Sequence, residues 1–196
     1  MKNTLAVVQS LALQTARGAA DLPSFSAAFQ SRLIALARAH DLLTRKDWEG
    51  APLGDVARAA LGPSGGEARV DLSACGAGAL LPPAQALALA MALHELATNA
   101  LKHGALSVPD GRVAIACRPD PADGAWVVDW AERGGPPVSG PSARRGFGLR
   151  LLESGLASQA GLRADLRFEP GGVRCVLRLP PPPDRPAAEA ARDPGA

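Results

Sequence analysis

The chain has 196 residues, 47% of them hydrophobic, and its 21 Lys and Arg stand against 19 Asp and Glu, a formal net charge of +2. That is enough apolar material for one good core, read here as a short helical element followed by one α/β domain. So small a charge, with the arginines scattered apart from Arg144-Arg145, gives no ground for nucleic acid as a partner. No stretch approaches the roughly 20 apolar residues of a membrane span, so no membrane segment is expected.

A first helix is expected over residues 2–16. Leu5, Val8, Ala12 and Thr15 recur at helical spacing, and Gln9, Ser10 and Gln14 interrupt what would otherwise imitate a signal peptide. Arg17-Gly18 ends it. A second helix follows, with Ser24 as candidate cap and Phe25, Phe29, Leu33, Leu36 and Leu43 as its buried face, running to Thr44. Two helices joined by a short loop form a hairpin, half of a four-helix bundle if two copies associate, so a homodimer is the expectation.

After Trp48 and a turn at Gly50-Ala51-Pro52, a helix over 53–61 leads to a strand over 68–72. Pro82-Pro83 opens the next helix and Gly104 closes it. On that helix Leu89, Ala92, Leu93, Leu96 and Ala100 share one face, while Glu95, Asn99 and Lys102 fall within roughly 60° of each other beside it. Strands over 112–117 and 125–130 read as a hairpin, and residues 131–138 as a loop leaving the second of them. A last helix over 147–160 and strands over 163–168 and 173–179 complete an α+β fold with helices on one face of a mixed sheet. From Pro180 on, prolines followed by an Ala, Arg and Asp mixture predict a disordered tail.

Three segments carry chemistry. Asn99 supplies a hard oxygen suited to hydrated Mg²⁺, Glu95 can orient or deprotonate an attacking group, and Lys102 can neutralise phosphate. The plain alternative is the solvated face of an amphipathic helix. Glu132 could accept a hydrogen bond from an exocyclic amine such as that of adenine, and Gly134-Gly135 would let backbone approach a flat ligand; the alternative is an ordinary Gly-Pro turn. Gly146-Phe147-Gly148 precedes a helix whose exposed amides favour an anion, although Gly-x-Gly alone is a weak signal.

His94 points away from Glu95 and Asn99 on the helical wheel and reads as a packing or hydrogen-bonding residue. Neither His40 nor His103 has a second histidine or cysteine at ligand spacing. Cys75, Cys117 and Cys175 form no Cys-x-x-Cys, and are expected to be reduced core fillers in a cytoplasmic protein.

Together these segments resemble the HWE family of sensor histidine kinases, relatives of the HisKA_2 group within the GHKL ATPase superfamily. His94-Glu95-Leu96 through Asn99, with Lys102 and Gly104-Ala105-Leu106-Ser107, is similar to the family's N-box. Trp130-Ala131-Glu132 with Gly134-Gly135-Pro136-Pro137-Val138 is similar to its Trp-x-Glu motif, and Gly146-Phe147-Gly148 to its second glycine box. The resemblance implies that Asn99 holds Mg²⁺, that Glu95 assists the phosphate acceptor, that Glu132 faces adenine, and that Gly146, Phe147 and Gly148 lie on the ATP phosphates. The ATP-binding set it implies is Asn99, Lys102, Glu132, Gly134, Gly146, Phe147 and Gly148, with Glu95 catalytic.

The resemblance extends to Lys2-Asn3-Thr4-Leu5, which is similar to the stretch just after the family's phosphoacceptor histidine. That histidine would lie two residues before Met1, so no usual acceptor is present; a start site upstream of Met1 is the expectation, and the alternative is a genuine truncation that keeps ATP binding without self-phosphorylation on the usual residue. His40, in Ala39-His40-Asp41-Leu42-Leu43, matches a second-helix stretch of the family that is separate from the acceptor. The implied organisation is a dimerisation and phosphotransfer-like hairpin at 1–48, a GHKL ATP-binding domain at 49–180 and a disordered tail at 181–196. The implied function is an ATP-dependent protein-histidine kinase catalytic unit, with a response-regulator aspartate receiving the phosphoryl group. Two alternatives are a non-catalytic adaptor derived from such a kinase and a serine kinase of an anti-sigma partner, which would not need the hairpin.

Overall fold

The computed structural model describes residues 2–44, 49–62, 69–76, 79–137 and 160–181. Helix α1 (Lys2–Gly18) and helix α2 (Leu22–Thr44) form the expected hairpin. Its turn is capped by Asp21, whose Oδ1 accepts from the Ser24 amide at 2.8 Å. Asp21 therefore takes the place expected of Ser24, because a helix cap accepts from the amide two or three positions on.

The buried faces of the hairpin also differ from expectation. On α1 the buried side is Val7, Leu11 and Thr15, spaced by four, while Leu5 is exposed. On α2 it is Arg32, Ala35, Leu36, Ala39 and Leu43, while Leu33 is exposed and Phe25 and Phe29 are half-buried and stacked on each other. The cause is tertiary. Besides α1, helix α2 packs against α3 (Leu53–Leu61) and α4 (Pro83–His103), so its inner face is set by those neighbours.

Helix α3 spans the expected residues and α4 starts after Pro82 and stops at Gly104, as proline at the first turn and glycine past the last one favour. Two short strands, β1 (Ala51–Pro52) and β3 (Leu80–Leu81), pair antiparallel and bracket α3. The main sheet has five strands in the order β2 (Val70–Ala74), β4 (Arg112–Pro119), β5 (Trp126–Arg133), β7 (Gly172–Leu179), β6 (Arg163–Glu169). Strand β2 is parallel to β4 and the other pairs are antiparallel, so the sheet is mixed. The strand expected to end at Trp130 runs on to Arg133, because Ala131, Glu132 and Arg133 remain paired with Ala114, Val113 and Arg112 of β4.

Helices cover one face of this sheet. Leu53, Val56, Leu89 and Leu93 from α3 and α4 meet Val113, Ile115, Val128, Trp130, Leu177 and Leu179 from the strands in the main core. A second cluster of Val7, Leu11, Ala35, Leu36 and Met91 joins the hairpin to α4. The other face carries ion pairs such as Asp129–Arg174 and Asp165–Arg167.

The cysteines correct the expectation of three reduced thiols. Cys75 and Cys117 are disulfide-bonded, with Cα atoms 4.6 Å apart, whereas Cys175 is free and buried. The parallel pairing of β2 with β4 brings together residues 42 apart in sequence. Among the described residues no helix is long and apolar enough to cross a membrane. The glycine pair at 146–148, the helix expected at 147–160 and the tail beyond Pro181 lie outside the described residues.

Candidate functional site

Helix α4 places the first group of candidate residues. It is buried on more than one side, because the sheet lies under it and α2 and α3 lie over it. Its Glu95–Asn99–Lys102 stripe is consequently split. Asn99 and Lys102 are exposed near the helix C-terminus, whereas Glu95 is only 4% exposed. The wheel angle is as expected; the surroundings are not, since a helix crossing Glu95 converts part of the outer face into an interface.

Glu95 is held by Arg32 of α2. The guanidinium donates Nε–H to Oε1 at 2.6 Å and Nη2–H to Oε2 at 3.1 Å, a two-pronged pairing. Arg32 is itself only 8% exposed, and its Nη1 donates to Thr15 Oγ1 at 3.2 Å. The Thr15 hydroxyl in turn donates to the Leu11 carbonyl at 2.6 Å. Sequence reading missed Arg32 and Thr15 as site neighbours. The available signal was Arg32 at the same helical face as Ala35, Leu36 and Ala39.

His94 acts as expected of a hydrogen-bonding residue, with Nε2 3.1 Å from the Ser31 hydroxyl of α2. Burial pushes its imidazole pKa below the usual value; the charge of Glu95 and a hydrogen bond to the Ala60 backbone oppose this, and Arg32 and Arg38 add to it. His94 and Glu95 thus pair with Ser31 and Arg32, consecutive residues on each helix.

The second group gathers where α4 ends. Glu132, on the helix-facing side of β5 and 6% exposed, accepts from the Ala105 amide at 2.8 Å through Oε2 and from the Trp130 indole Nε1 at 3.3 Å through Oε1. Residues 130 and 132 share a face because strand side chains alternate. Gly104 passes so close over this carboxylate that a Cβ there would run into Glu132 Oε2 and stand 2.9 Å from Ala100 Cα. Gly134 adopts φ +69°, turning the chain so that Gly135 lies against Ala105, where a Cβ would come within 2.7 Å of Ala105 Cα. Ala105 is therefore the point at which the helix exit, Glu132 and the Gly134-Gly135 loop meet.

The arrangement offers an exposed carboxamide and an exposed ammonium three residues apart, beside a tight backbone corner buttressed by a buried carboxylate. An amide oxygen with room for water suits Mg²⁺, which keeps most of its hydration shell, and an ammonium suits phosphate. Among the described residues no group of three or more His, Cys, Asp and Glu could hold a metal alone.

Comparison with known proteins agrees with the residue pattern. Residues 1–77 match the family model described as HWE histidine kinase. The chain is 38% identical over 185 residues, 93% of its length, to a protein named blue-light-activated histidine kinase from Brucella ovis, and 38% identical over 174 residues to one of the same name from Brucella anthropi. It spans 38% and 35% of the length of these relatives. Its fold is similar to that of the blue-light activated histidine kinase of Erythrobacter litoralis, with a TM-score of 0.61 at 18% identity over 91% of this chain and 59% of the other. The isolated histidine kinase domain of that protein gives the same TM-score at 17% identity, over 90% and 83% of the two chains. With its N-box-like helix, its Trp130–Glu132 pair, its hairpin and its mixed sheet, the chain is similar to the histidine kinases of the HWE family.

Proposed function

We propose that the chain is the ATP-binding catalytic unit of a protein-histidine kinase in two-component signalling, with Mg·ATP as phosphoryl donor and a response-regulator aspartate as the eventual recipient. The observation that carries this reading is the convergence at Ala105 of two separate sequence segments: the α4 exit with Asn99 and Lys102, and the 132–135 stretch, which reaches it through both the Glu132 carboxylate and the Gly134-Gly135 loop. An adaptor with no nucleotide to bind has no need of that convergence.

In this reading Asn99 is the Mg²⁺ ligand, Lys102 neutralises phosphate, and Gly146, Phe147 and Gly148 supply further phosphate contacts. Glu132 and Gly134 form the base-binding wall; Glu132 acts through the Ala105 corner it holds as well as through any contact with adenine. Glu95 is the acid–base residue. Bound Mg²⁺ would supply charge compensation on the phosphates, and the chain's own contribution is positioning and fixed electrostatics. The hairpin at 1–48 is the phosphotransfer-like and dimerising element, and 49–180 the catalytic domain.

Isothermal titration with Mg·ATP tests the reading. The parent is expected to bind and Asn99→Ala to bind at least about tenfold more weakly, a loss of about 1.4 kcal/mol. Absence of binding by the parent favours the adaptor reading.

A further inference from the structure

The Arg32–Glu95 pair lies between the hairpin and α4, and the function proposed above gives Arg32 no role. Both carboxylate oxygens of Glu95 are occupied by one guanidinium, and the third guanidinium nitrogen is anchored on Thr15. One side chain thus joins α1, α2 and α4. Thr15 is fixed as an acceptor because its own proton goes to Leu11. Val7, Leu11, Ala35, Leu36 and Met91 form the apolar cluster that joins the same three helices.

A buried ion pair of this kind does more to fix one arrangement than to add net stability, because desolvation offsets much of the attraction. Its loss is abrupt, since withdrawing either partner strands an uncompensated charge, and partial displacements are therefore disfavoured. The arrangement observed is the hairpin docked with Glu95 engaged, and its alternative is the hairpin displaced with Glu95 released. In the docked state Glu95 has both oxygens bound to Arg32, which leaves it poorly placed to take a proton from an attacking group, water included.

We propose that Arg32, anchored by Thr15, is a positioning residue that latches the hairpin onto α4 and withholds Glu95 from the phosphoryl-transfer site until the hairpin shifts. The proposal rests on the acid–base role given to Glu95 above. The latch is sited where a rotation or slide of α1 and α2 would be felt directly by the residue that does chemistry, so a signal reaching the hairpin need not deform the nucleotide site.

The test compares the parent with Arg32→Lys, which keeps the charge but loses the two-pronged geometry, and with Thr15→Val, a gentler change that removes only the anchor. Three quantities are read: Mg·ATP affinity by calorimetry, turnover as inorganic phosphate released when water takes the γ-phosphoryl group of labelled Mg·ATP, and amide hydrogen exchange. The latch predicts faster exchange in α1 and α2 with β4 and β5 unchanged, affinity within twofold of the parent, and turnover raised at least fivefold in Arg32→Lys and less in Thr15→Val. The charge swap Arg32→Glu with Glu95→Arg is expected to restore slow exchange in the hairpin yet hold turnover below the parent. Restoration of both by the swap would mean a purely structural pair and overturn the proposal. So would unchanged turnover in Arg32→Lys and Thr15→Val, whether or not exchange rises. A parent that binds no Mg·ATP defeats the kinase reading and the latch together, whereas a parent that binds while the variants fail defeats the latch alone.

Discussion

The carboxylate of Glu132 at the end of β5 accepts a 2.8 Å hydrogen bond from the backbone amide of Ala105, just past the end of α4, so the strand end and the helix exit are tied through one buried side chain. Glu132→Ala would leave the Ala105 amide and the Trp130 indole without this acceptor in a closed environment. It is expected to lower unfolding stability by about 3 kcal/mol, and Glu132→Gln, which keeps a carbonyl oxygen for one donor, by about 1 kcal/mol. Urea unfolding of the three proteins checks the order, and equal midpoints would contradict it.

The Cys75–Cys117 disulfide closes a loop of 42 residues between neighbouring strands. Its reduction is expected to cost about 2–4 kcal/mol of stability. Burial, with Asp165 and Asp129 adding to it, pushes the Cys175 thiol up to about 12, so that thiol stays protonated at pH 8. The native oxidised protein should show no thiol to Ellman's reagent, the denatured oxidised protein one, and the denatured reduced protein three. Two rapidly reacting thiols in the native protein would contradict the pairing.

His94 makes stability depend on pH with a definite sign. Burial depresses its folded pKa below the usual value near 6.5, so the unfolded chain takes up the proton more readily. Its contribution is fully present above about pH 6.5 and is lost as pH falls through the lower folded value. The urea midpoint should drop between pH 7.5 and 5.5, and His94→Gln should flatten that drop. An unchanged slope in the variant would assign the dependence to other groups.

The limits of α3 and α4 and of strands β6 and β7 were legible because Pro, Gly and apolar periodicity act locally, whereas β4 and β5 run past their expected ends because they stay paired with each other. Facing was less so. Glu95 sits where the helical wheel puts it, but its burial is decided by Arg32, 63 residues earlier, and no spacing within α4 carries that information. For the same reason Arg32 points inward on α2 while Leu33 is exposed. The Cys75–Cys117 pairing depends on strand order in the sheet, which becomes readable only once β2 is placed beside β4. At the site, Trp130, Glu132 and the glycines were legible as a motif, whereas their shared contact at Ala105 is a product of the fold.

Hydrogen–deuterium exchange with and without Mg·ATP asks directly whether nucleotide is held where the α4 exit meets the Glu132 to Gly135 segment. Slower exchange is expected, confined to peptides covering the α4 exit from Asn99 to Ala105, the Glu132 to Gly135 segment and the Gly146 to Gly148 segment, with Asn99→Ala abolishing the effect. Saturating Mg·ATP that leaves these peptides unchanged, or that protects only regions remote from Ala105, would contradict it.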